Sequence, residues 1–351
     1  MRKNKSSSNS TVSLDEVARR ARVSASTVSR VLNNLSVVKN STRTRVLKVV
    51  NEMGYHPNLH ARTLAGGDSR TIGVILSNME NPFFFDIYSV IEGRAHACDY
   101  EVVVANTNYN PDQLVNSIRL MIGRRVSGLA IVVSEMDAAL IKSLSEGSIP
   151  IVFYDVGTPT QKITNIRVDY GRGVRTLVEY LHSLGHQRFG FIGHHSALAP
   201  INVRLNTLIA AAKDLTPKIT VQTAAREDDL EGGRQAARDL LALNFNPTAI
   251  ICVNDIMAVG ALRELRDMGI RVPEDISVTG FDNITLSEFC YPPLTTVHIP
   301  RDRIGHIICD CLMPTPQQLP KSGSEIVIDP QLVLRKSTGP ASSNSIKGEE
   351  K

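Results

Sequence analysis

Residues 13–33 read Ser-Leu-Asp-Glu-Val-Ala-Arg-Arg-Ala-Arg-Val-Ser-Ala-Ser-Thr-Val-Ser-Arg-Val-Leu-Asn. Ser13 to Glu16 has the capping-box spacing, a hydroxyl for the first free amides and a Glu three residues on to reach back. Leu14, Val17, Ala18 and Ala21 then fall on one helical face. After the short Arg22-Val23 turn, Ser24 is placed to cap a second helix with Val28, Val31 and Leu32 inward. Its other face carries Ala25, Ser26, Ser29, Arg30 and Asn33, all small or polar. Asn40 and Ser41 are candidate caps for a third helix, with Val46, Leu47, Val50 and Met53 at core spacing and Gly54 as its stop. Two short helices joined by a tight turn, the second polar and rich in hydroxyls, have the pattern of a major-groove reader. The competing reading is a three-helix unit that reads nothing.

Charge gathers at the same end. Residues 1–66 hold 12 Lys and Arg against 3 Asp and Glu, and the whole chain holds 39 against 35, leaving 27 against 32 for residues 67–351. A basic head on a mildly acidic body is the electrostatic footprint of a nucleic-acid binder whose remainder has a separate task. Basic tails are common, so the helical pattern decides the matter rather than the charge.

From Thr71 the pattern changes. Ile72–Leu76, Val102–Ala105, Leu129–Val133, Ile149–Tyr154, Phe189–Ile192, Ile219–Gln222, Ala249–Val253 and Ile276–Val278 are short, continuous, β-branched runs, the signature of strands buried on both faces. Amphipathic stretches such as Gln113–Arg124, Arg172–Leu184 and Met257–Met268 lie between them. This alternation predicts parallel sheets with helices on both faces, and the length favours two lobes over one. The expected fold is an all-α helix-turn-helix head joined to a two-lobed α/β core. Ligands of such sheets sit at the C-terminal strand ends and between lobes.

Other classes are disfavoured. No apolar run approaches the roughly 18 residues of a membrane span, and the Lys/Ser/Asn-rich start lacks the apolar stretch of a secretory signal. Cys98, Cys252, Cys290, Cys309 and Cys311 form no framework and suit a reducing cytoplasm. His306 near Cys309 and Cys311 has poor ligand spacing, so neither a metal nor another cofactor is expected. There is no Walker loop, no G-x-G-x-x-G after a strand, no G-x-S-x-G and no H-E-x-x-H. His194-His195 are read as ordinary loop residues at a strand end. Residues 1–11 and 341–351 are polar and are expected to be disordered tails.

Val23-Ser24-Ala25-Ser26-Thr27-Val28-Ser29-Arg30-Val31-Leu32-Asn33 resembles the recognition helix of the LacI/GalR family of bacterial repressors. Gly54-Tyr55-His56-Pro57-Asn58 and Ala61-Arg62-Thr63-Leu64-Ala65 resemble that family's linker and hinge. Further matches follow in order at Gly185-His186-Gln187-Arg188, Asn254-Asp255, Val272-Pro273-Glu274-Asp275-Ile276-Ser277-Val278, Gly280-Phe281-Asp282 and Pro292-Pro293-Leu294-Thr295-Thr296. The resemblance implies a helix-turn-helix domain over 12–57, a hinge helix and linker over 58–69, and a periplasmic-binding-protein-like effector and dimerisation domain over 70–340. Its first lobe would take about 70–168 and 298–325 and its second about 169–297 and 326–340, with crossings near Val168-Asp169, Val297–Ile299 and Glu325.

The resemblance also assigns roles. Ala25, Ser26 and Arg30 match positions that face base edges, and Arg30 is the residue suited to a bidentate contact with guanine. Ser24, Thr27, Ser29, Asn33 and Thr42 match phosphate-facing or capping positions, which fix register without reading sequence. Asn58 to Ala65 matches the hinge helix, with Leu64 the leucine wedged into a minor-groove step and Ala61 the small residue beside it. Two departures stand out: Arg22 replaces the usual Gly of the turn, and Lys39 the usual Ser before the third helix. If Arg22 sits at positive φ, it costs roughly 1 kcal/mol relative to Gly.

In the core, Asp155, Arg204, Asn254 and Asp282 match the residues that grip the effector. Asp282, which could otherwise suggest a general base, would accept hydrogen bonds from a ligand hydroxyl. An Arg, two carboxylates and an amide suit a polyhydroxylated ligand such as a sugar, and Phe83, Phe84 and Phe281 could wall it, whereas Phe85 is assigned to the lobe core. Arg204-Leu205-Asn206-Thr207-Leu208 lacks the family's Gly and aromatic, which puts the pocket floor in question. The implied protein is a cytoplasmic homodimeric repressor that binds a double-stranded operator and a small-molecule effector and touches no membrane. One rival is a global regulator with a phosphoprotein corepressor. The other, from a different class, is a sugar-processing enzyme or solute-binding protein with an accidental basic tail.

Overall fold

The computed structural model describes residues 12–32, 37–55, 69–134, 144, 147, 149–155, 159, 162–194, 199–243, 245–313 and 323–342. Contacts divide the chain into two compact units, Met1–Ser69 and Arg70–Lys351.

In the first unit three helices, α1 (Leu14–Ala21), α2 (Ala25–Leu32) and α3 (Asn40–Met53), enclose Val17, Ala18, Ala21, Val28, Val31, Val46, Val49 and Val50. The capping box forms: Ser13 Oγ accepts from the Glu16 amide and the Glu16 carboxylate accepts from the Ser13 amide, both at 3.2 Å. Arg22 closes α1 in the left-handed region, at φ 53° and ψ 51°, so the chain carries at the turn the strain that Gly would avoid. Ser24 Oγ accepts from the Thr27 amide at 3.2 Å and caps α2. Two expectations for α3 fail. The helix begins at Asn40 itself, with Lys39 as the preceding residue and no side-chain cap, so neither Asn40 nor Ser41 caps it. Leu47 is 41% exposed and Val49 takes the inward place, because the buried stripe falls at 46, 49, 50.

The second unit contains two six-stranded sheets. The first holds β1 (Thr71–Leu76), β2 (Glu101–Asn106), β3 (Gly128–Val132), β4 (Ile151–Tyr154), β5 (Ile163–Val168) and β11 (Glu325–Ile328), in the order β11-β5-β4-β3-β1-β2, with every pair parallel. The second holds β6 (Arg188–His194), β7 (Thr220–Arg226), β8 (Ala249–Cys252), β9 (Ser277–Asp282), β10 (Thr295–His298) and β12 (Gln331–Val333), in the order β12-β10-β9-β8-β6-β7, where β12 alone runs antiparallel to its neighbour. The accompanying helices among the described residues are α4 (Pro82–Ala97), α5 (Pro111–Gly123), α6 (Tyr170–Ser183), α7 (Ala199–Asp214), α8 (Leu230–Ala242), α9 (Asp255–Asp267), α10 (Thr285–Phe289) and α11 (Arg301–Leu312). Asn81, Asn110, Asp169, Asp229 and Asn254 cap α4, α5, α6, α8 and α9 with their side chains, and Pro follows at the first helical position of α4 and α5.

The chain passes between the lobes after β5, after β10 and between β11 and β12. The third crossing therefore lies between Ile328 and Gln331 rather than at Glu325, because Glu325–Ile328 pair in register with Asn165–Val168 of the first lobe. The expected C-terminal tail also starts too early, since the Ala341 amide donates to the Leu184 carbonyl at 2.8 Å. Phe85 is not in the lobe core; it is 47% exposed on α4, its ring tilted against Tyr88.

Candidate functional site

In the head, α2 turns Ser26 and Arg30 outward, and Arg30 has no ion pair among the described residues. Ser24 Oγ lies 2.9 Å from Ser26 Oγ and 2.8 Å from Thr27 Oγ1, a cluster of hydroxyls at the helix N-terminus. Ser29 and Thr42 are half-buried, and Ala25 leans partly on the head's core. The arrangement presents one planar cation between short polar side chains, with anion-seeking amides at the start of the same helix. Asn33, Asn58, Ala61 and Leu64, and with them the expected hinge over 58–69, lie outside the described residues, Ser69 excepted.

The cleft of the second unit is built from the C-terminal ends of both parallel sheets. Asn81 and Ser134 follow β1 and β3, Tyr109 follows β2, and Tyr154 ends β4. From the second lobe come His194 at the end of β6, Asp228 after β7, Val253 and Asn254 after β8, and Asp282 at the end of β9. Phe83 and Phe84, at the start of α4, pack edge to face with centroids 5.3 Å apart and form one wall. The cavity left between these groups is about 40 Å³, well below the roughly 300–1,000 Å³ of small-molecule pockets. A ligand of sugar size therefore requires the lobes to part.

At the floor Arg204, 9% exposed, lies between two rings, its Cζ 4.3 Å from the centre of Tyr170 and 4.5 Å from that of Phe281. Nη1 donates to the Val253 carbonyl at 2.6 Å, and the buried Nε–H has no partner among the described residues. Burial disfavours its charge, but Tyr170 and Asp282 outweigh burial and the guanidinium holds its proton more tightly than usual. Asp282 sits at φ 107°, a conformation few side chains adopt, and Arg301 holds the strained turn by donating to the carbonyls of Asp282 and Asn283. Burial pushes the Asp282 carboxyl well above the usual carboxylate range, against the pull of Arg204.

Of the residues anticipated from sequence, Phe83, Phe84, Arg204, Asn254 and Asp282 line one cleft. Phe281 does not line it and supports Arg204 from below. Asp155 faces the first crossing instead: its Oδ1 accepts from the Val168 amide at 2.7 Å and its Oδ2 from the Tyr170 hydroxyl at 2.5 Å. It bears on the cleft from behind, through Tyr170 and through its charge on Arg204 and Tyr154. Burial raises its pKa to about 6, with the Tyr170 hydroxyl and the Val168 amide acting in the opposite sense. Sequence reading missed Tyr109, Tyr154, Tyr170, Asp228 and the part played by His194, which is a lining residue and not an ordinary loop residue. Position immediately after a buried strand was the one signal that could have found several of them.

Asp255 lies beneath the floor, fully buried. It accepts from Thr296 Oγ1 at 2.6 Å and from the Ile284 amide at 2.8 Å, and burial lifts its pKa from 3.8 to about 7. The folded chain thus keeps a proton that the unfolded chain releases. This contribution to stability is full below about pH 3.8 and is lost as the pH rises through about 7. Asp255→Asn, which can keep both hydrogen bonds once the Thr296 hydroxyl turns, is expected to flatten the loss of unfolding free energy over that range by up to about 1.4 kcal/mol per pH unit. Urea midpoints measured between pH 4 and 7 check it, and an unchanged slope counts against it.

Comparison with known proteins agrees with both halves. Residues 13–58 match the model of the bacterial regulatory proteins of the lacI family, and residues 178–338 that of a periplasmic binding protein-like domain. The HTH-type transcriptional repressor CytR of Escherichia coli (strain K12) is 34% identical over 327 residues, 93% of this chain and 96% of that one. A lac repressor dimer bound to operator and the anti-inducer ONPF superposes with a TM-score of 0.82 at 30% identity, over 93% of this chain and 99% of the other. A LacI family transcriptional regulator from Enterococcus faecium with bound ribose gives 0.68 at 26% identity, over 78% and 100%.

Proposed function

This chain belongs to the lacI family of bacterial regulatory proteins and is a DNA-binding transcriptional repressor; from that premise we propose that it works as a homodimer on a pseudo-palindromic operator, under the control of a sugar held between its lobes. The reading as an enzyme or a solute-binding protein falls, because its relatives are repressors along nearly their whole length. A cytoplasmic place follows from the DNA it acts on.

On the DNA side, Arg30 reads a guanine through two hydrogen bonds, with Ser26 and the Ala25 methyl beside it. Ser24, Thr27, Ser29, Asn33 and Thr42 hold phosphates, and in the hinge helix that starts at Asn58 Leu64 opens a central minor-groove step with Ala61 beside it. Arg30→Ala is expected to cost about 1–3 kcal/mol on the cognate operator and to flatten discrimination at one symmetric base pair. Lys39→Ala should weaken all sequences alike and make the salt dependence shallower. Selection from random DNA checks this, and an unchanged motif for Arg30→Ala removes the assignment.

The observation that carries the effector reading is the convergence of Arg204, Asn254, Asp228 and Asp282 beside the Phe83–Phe84 wall. Hydroxyls donate and accept at once and can satisfy such a mixture, and the Asp228 carboxylate disfavours a phosphate. A regulator of similar fold carries ribose. A melting-temperature panel of neutral sugars, ribose included, with sugar phosphates and nucleobases tests it. A neutral sugar is expected to stabilise the chain, and stabilisation by a phosphate ester or a nucleobase alone overturns the class. For the dimer, Phe289 and Tyr291 are 76% and 77% exposed on the second lobe, with Leu286 38% exposed on the same short helix as Phe289, apolar surface of the kind that marks an interface. Sedimentation as a monomer at micromolar concentration would remove that part.

A further inference from the structure

Besides the Asp155–Tyr170 and Arg301 contacts near the crossings, the two lobes share a carboxylate at the mouth of the cleft. Asp228, after β7 in the second lobe, accepts from the Tyr109 hydroxyl of the first lobe at 2.6 Å and from Asn254 Nδ2 of its own lobe at 2.5 Å. The Tyr109 ring also lies 5.8 Å from that of His194, again across the lobes. The loop that presents Tyr109 is set for the purpose. Asn108 and Tyr109 both take left-handed backbone, at φ 49° and 57°, a strain that non-glycine residues carry only when surroundings enforce it. Here they do: Asn106 Nδ2 donates to Asn108 Oδ1 at 2.7 Å, the Tyr109 amide donates to the Ser77 carbonyl at 3.3 Å, and the Met79 amide donates to Asn106 Oδ1 at 3.2 Å. On the other side Asp229 is anchored as the cap of α8, its carboxylate accepting from the Gly232 amide at 2.6 Å.

We propose that Tyr109 and Asp228 form an interlobe latch, and that a ligand enters the cleft by giving Asp228 a hydrogen-bond donor in place of the Tyr109 phenol. The inference rests on the reading of this cleft as the effector site and deepens it. Asp228 and Asp282 face Arg204 as the one Arg of the lining, and its faces are covered by rings. Donor-rich neutral ligands and amines therefore suit the gate, and anions do not, because an anion offers Asp228 only acceptors and like charge. Asp228 is then a selectivity residue, and Tyr109 a positioning residue that acts through it.

Native-state hydrogen exchange on the full-length chain decides the latch. Tyr109→Phe keeps the ring beside His194 and removes only the donor. It is expected to raise exchange at least threefold at amides 107–110 and also at 228–233 on the opposite lobe, while the central strands stay protected. Asp228→Ala should do the same, and the double variant should add little to either, since both break one bond. Unchanged exchange at 228–233 in Tyr109→Phe, or additive effects in the double variant, overturns the latch. In a second arm, glucosamine and glucose 6-phosphate are titrated against wild type and Asp228→Ala. Removing the carboxylate is expected to shift the Kd ratio at least tenfold towards the phosphate, and an unchanged ratio overturns the donor requirement. If neither sugar binds either protein, the donor requirement falls, while the melting panel still decides the sugar reading and the exchange experiment the latch.

Discussion

Gly260→Ala is expected to destabilise the core unit by about 3 kcal/mol or more. On helix propensity alone the change should help, since Ala is favoured over Gly by about 1 kcal/mol inside a helix. The sign reverses because α9 lies directly against α8. A Cβ on Gly260 would sit 2.0 Å from the Leu230 carbonyl oxygen, and one on Gly233 would sit 2.2 Å from that of Met257. Both obstacles are backbone, so no rotamer change relieves them and the helices must separate. Separation would also pull Glu264, 3% exposed, from Arg234 and Arg238, which hold it at 3.0 and 2.7 Å. Breaking a buried carboxylate's ion pairs adds to the cost. The same pair of helices carries Asp228 and Asn254 at its leading ends, so the variant should loosen the cleft as well. Gly93→Ala on α4 is the control: nothing lies within 4 Å of its Cβ position, and a gain of roughly 0.5–1 kcal/mol is expected. Urea denaturation followed by circular dichroism measures both. A Gly260→Ala chain as stable as wild type would show that the helix contact is loose.

The same contrast between local pattern and distant contact explains what the sequence could and could not tell. Ile72–Leu76 and Ala249–Val253 are uninterrupted apolar runs buried on both faces, and they were legible as strands to within a residue or two. β5 was not, because Asn165 and Arg167 break its apolar run; the arginine pairs with Glu325 at 3.3 Å, from a strand some 160 residues away. β11 and β12 are single strands supplied late in the chain, and their partners are set by topology rather than by local composition. The site divides in the same way. Arg204 and Asp282 stand within or beside motifs that resemble a known family. Asp228 belongs to the run Glu227-Asp228-Asp229, which reads as solvated charge until the fold brings Tyr109 to it. Asp155 shows the converse: motif matching put it among the ligand-gripping residues, whereas its strained backbone, at φ 62°, turns the carboxylate towards Val168 and Tyr170.

Arg204→Ala is expected to abolish the response to the effector while the operator is still bound. The guanidinium is clamped between Tyr170 and Phe281, its Nη1 is committed to the Val253 carbonyl, and its Nε–H is buried without a partner among the described residues. A group desolvated in this way has already lost its water, so a ligand acceptor that meets it gains without further dehydration. Truncating one member of a buried, charge-assisted contact costs about 2–5 kcal/mol, so the Kd of the sugar found by the melting panel should rise at least about 30-fold. Arg204→Lys should not rescue it. An ammonium is a compact, strongly hydrated charge that cannot fill a flat slot between two rings or donate from a planar edge. The two variants separate charge from shape. If Arg204→Lys keeps most of the affinity, the site needs only a positive charge and the stacked geometry is incidental. If Arg204→Ala loses operator binding along with ligand binding, the arginine is a structural strut within the second lobe, and the assignment of the cleft floor to the effector fails.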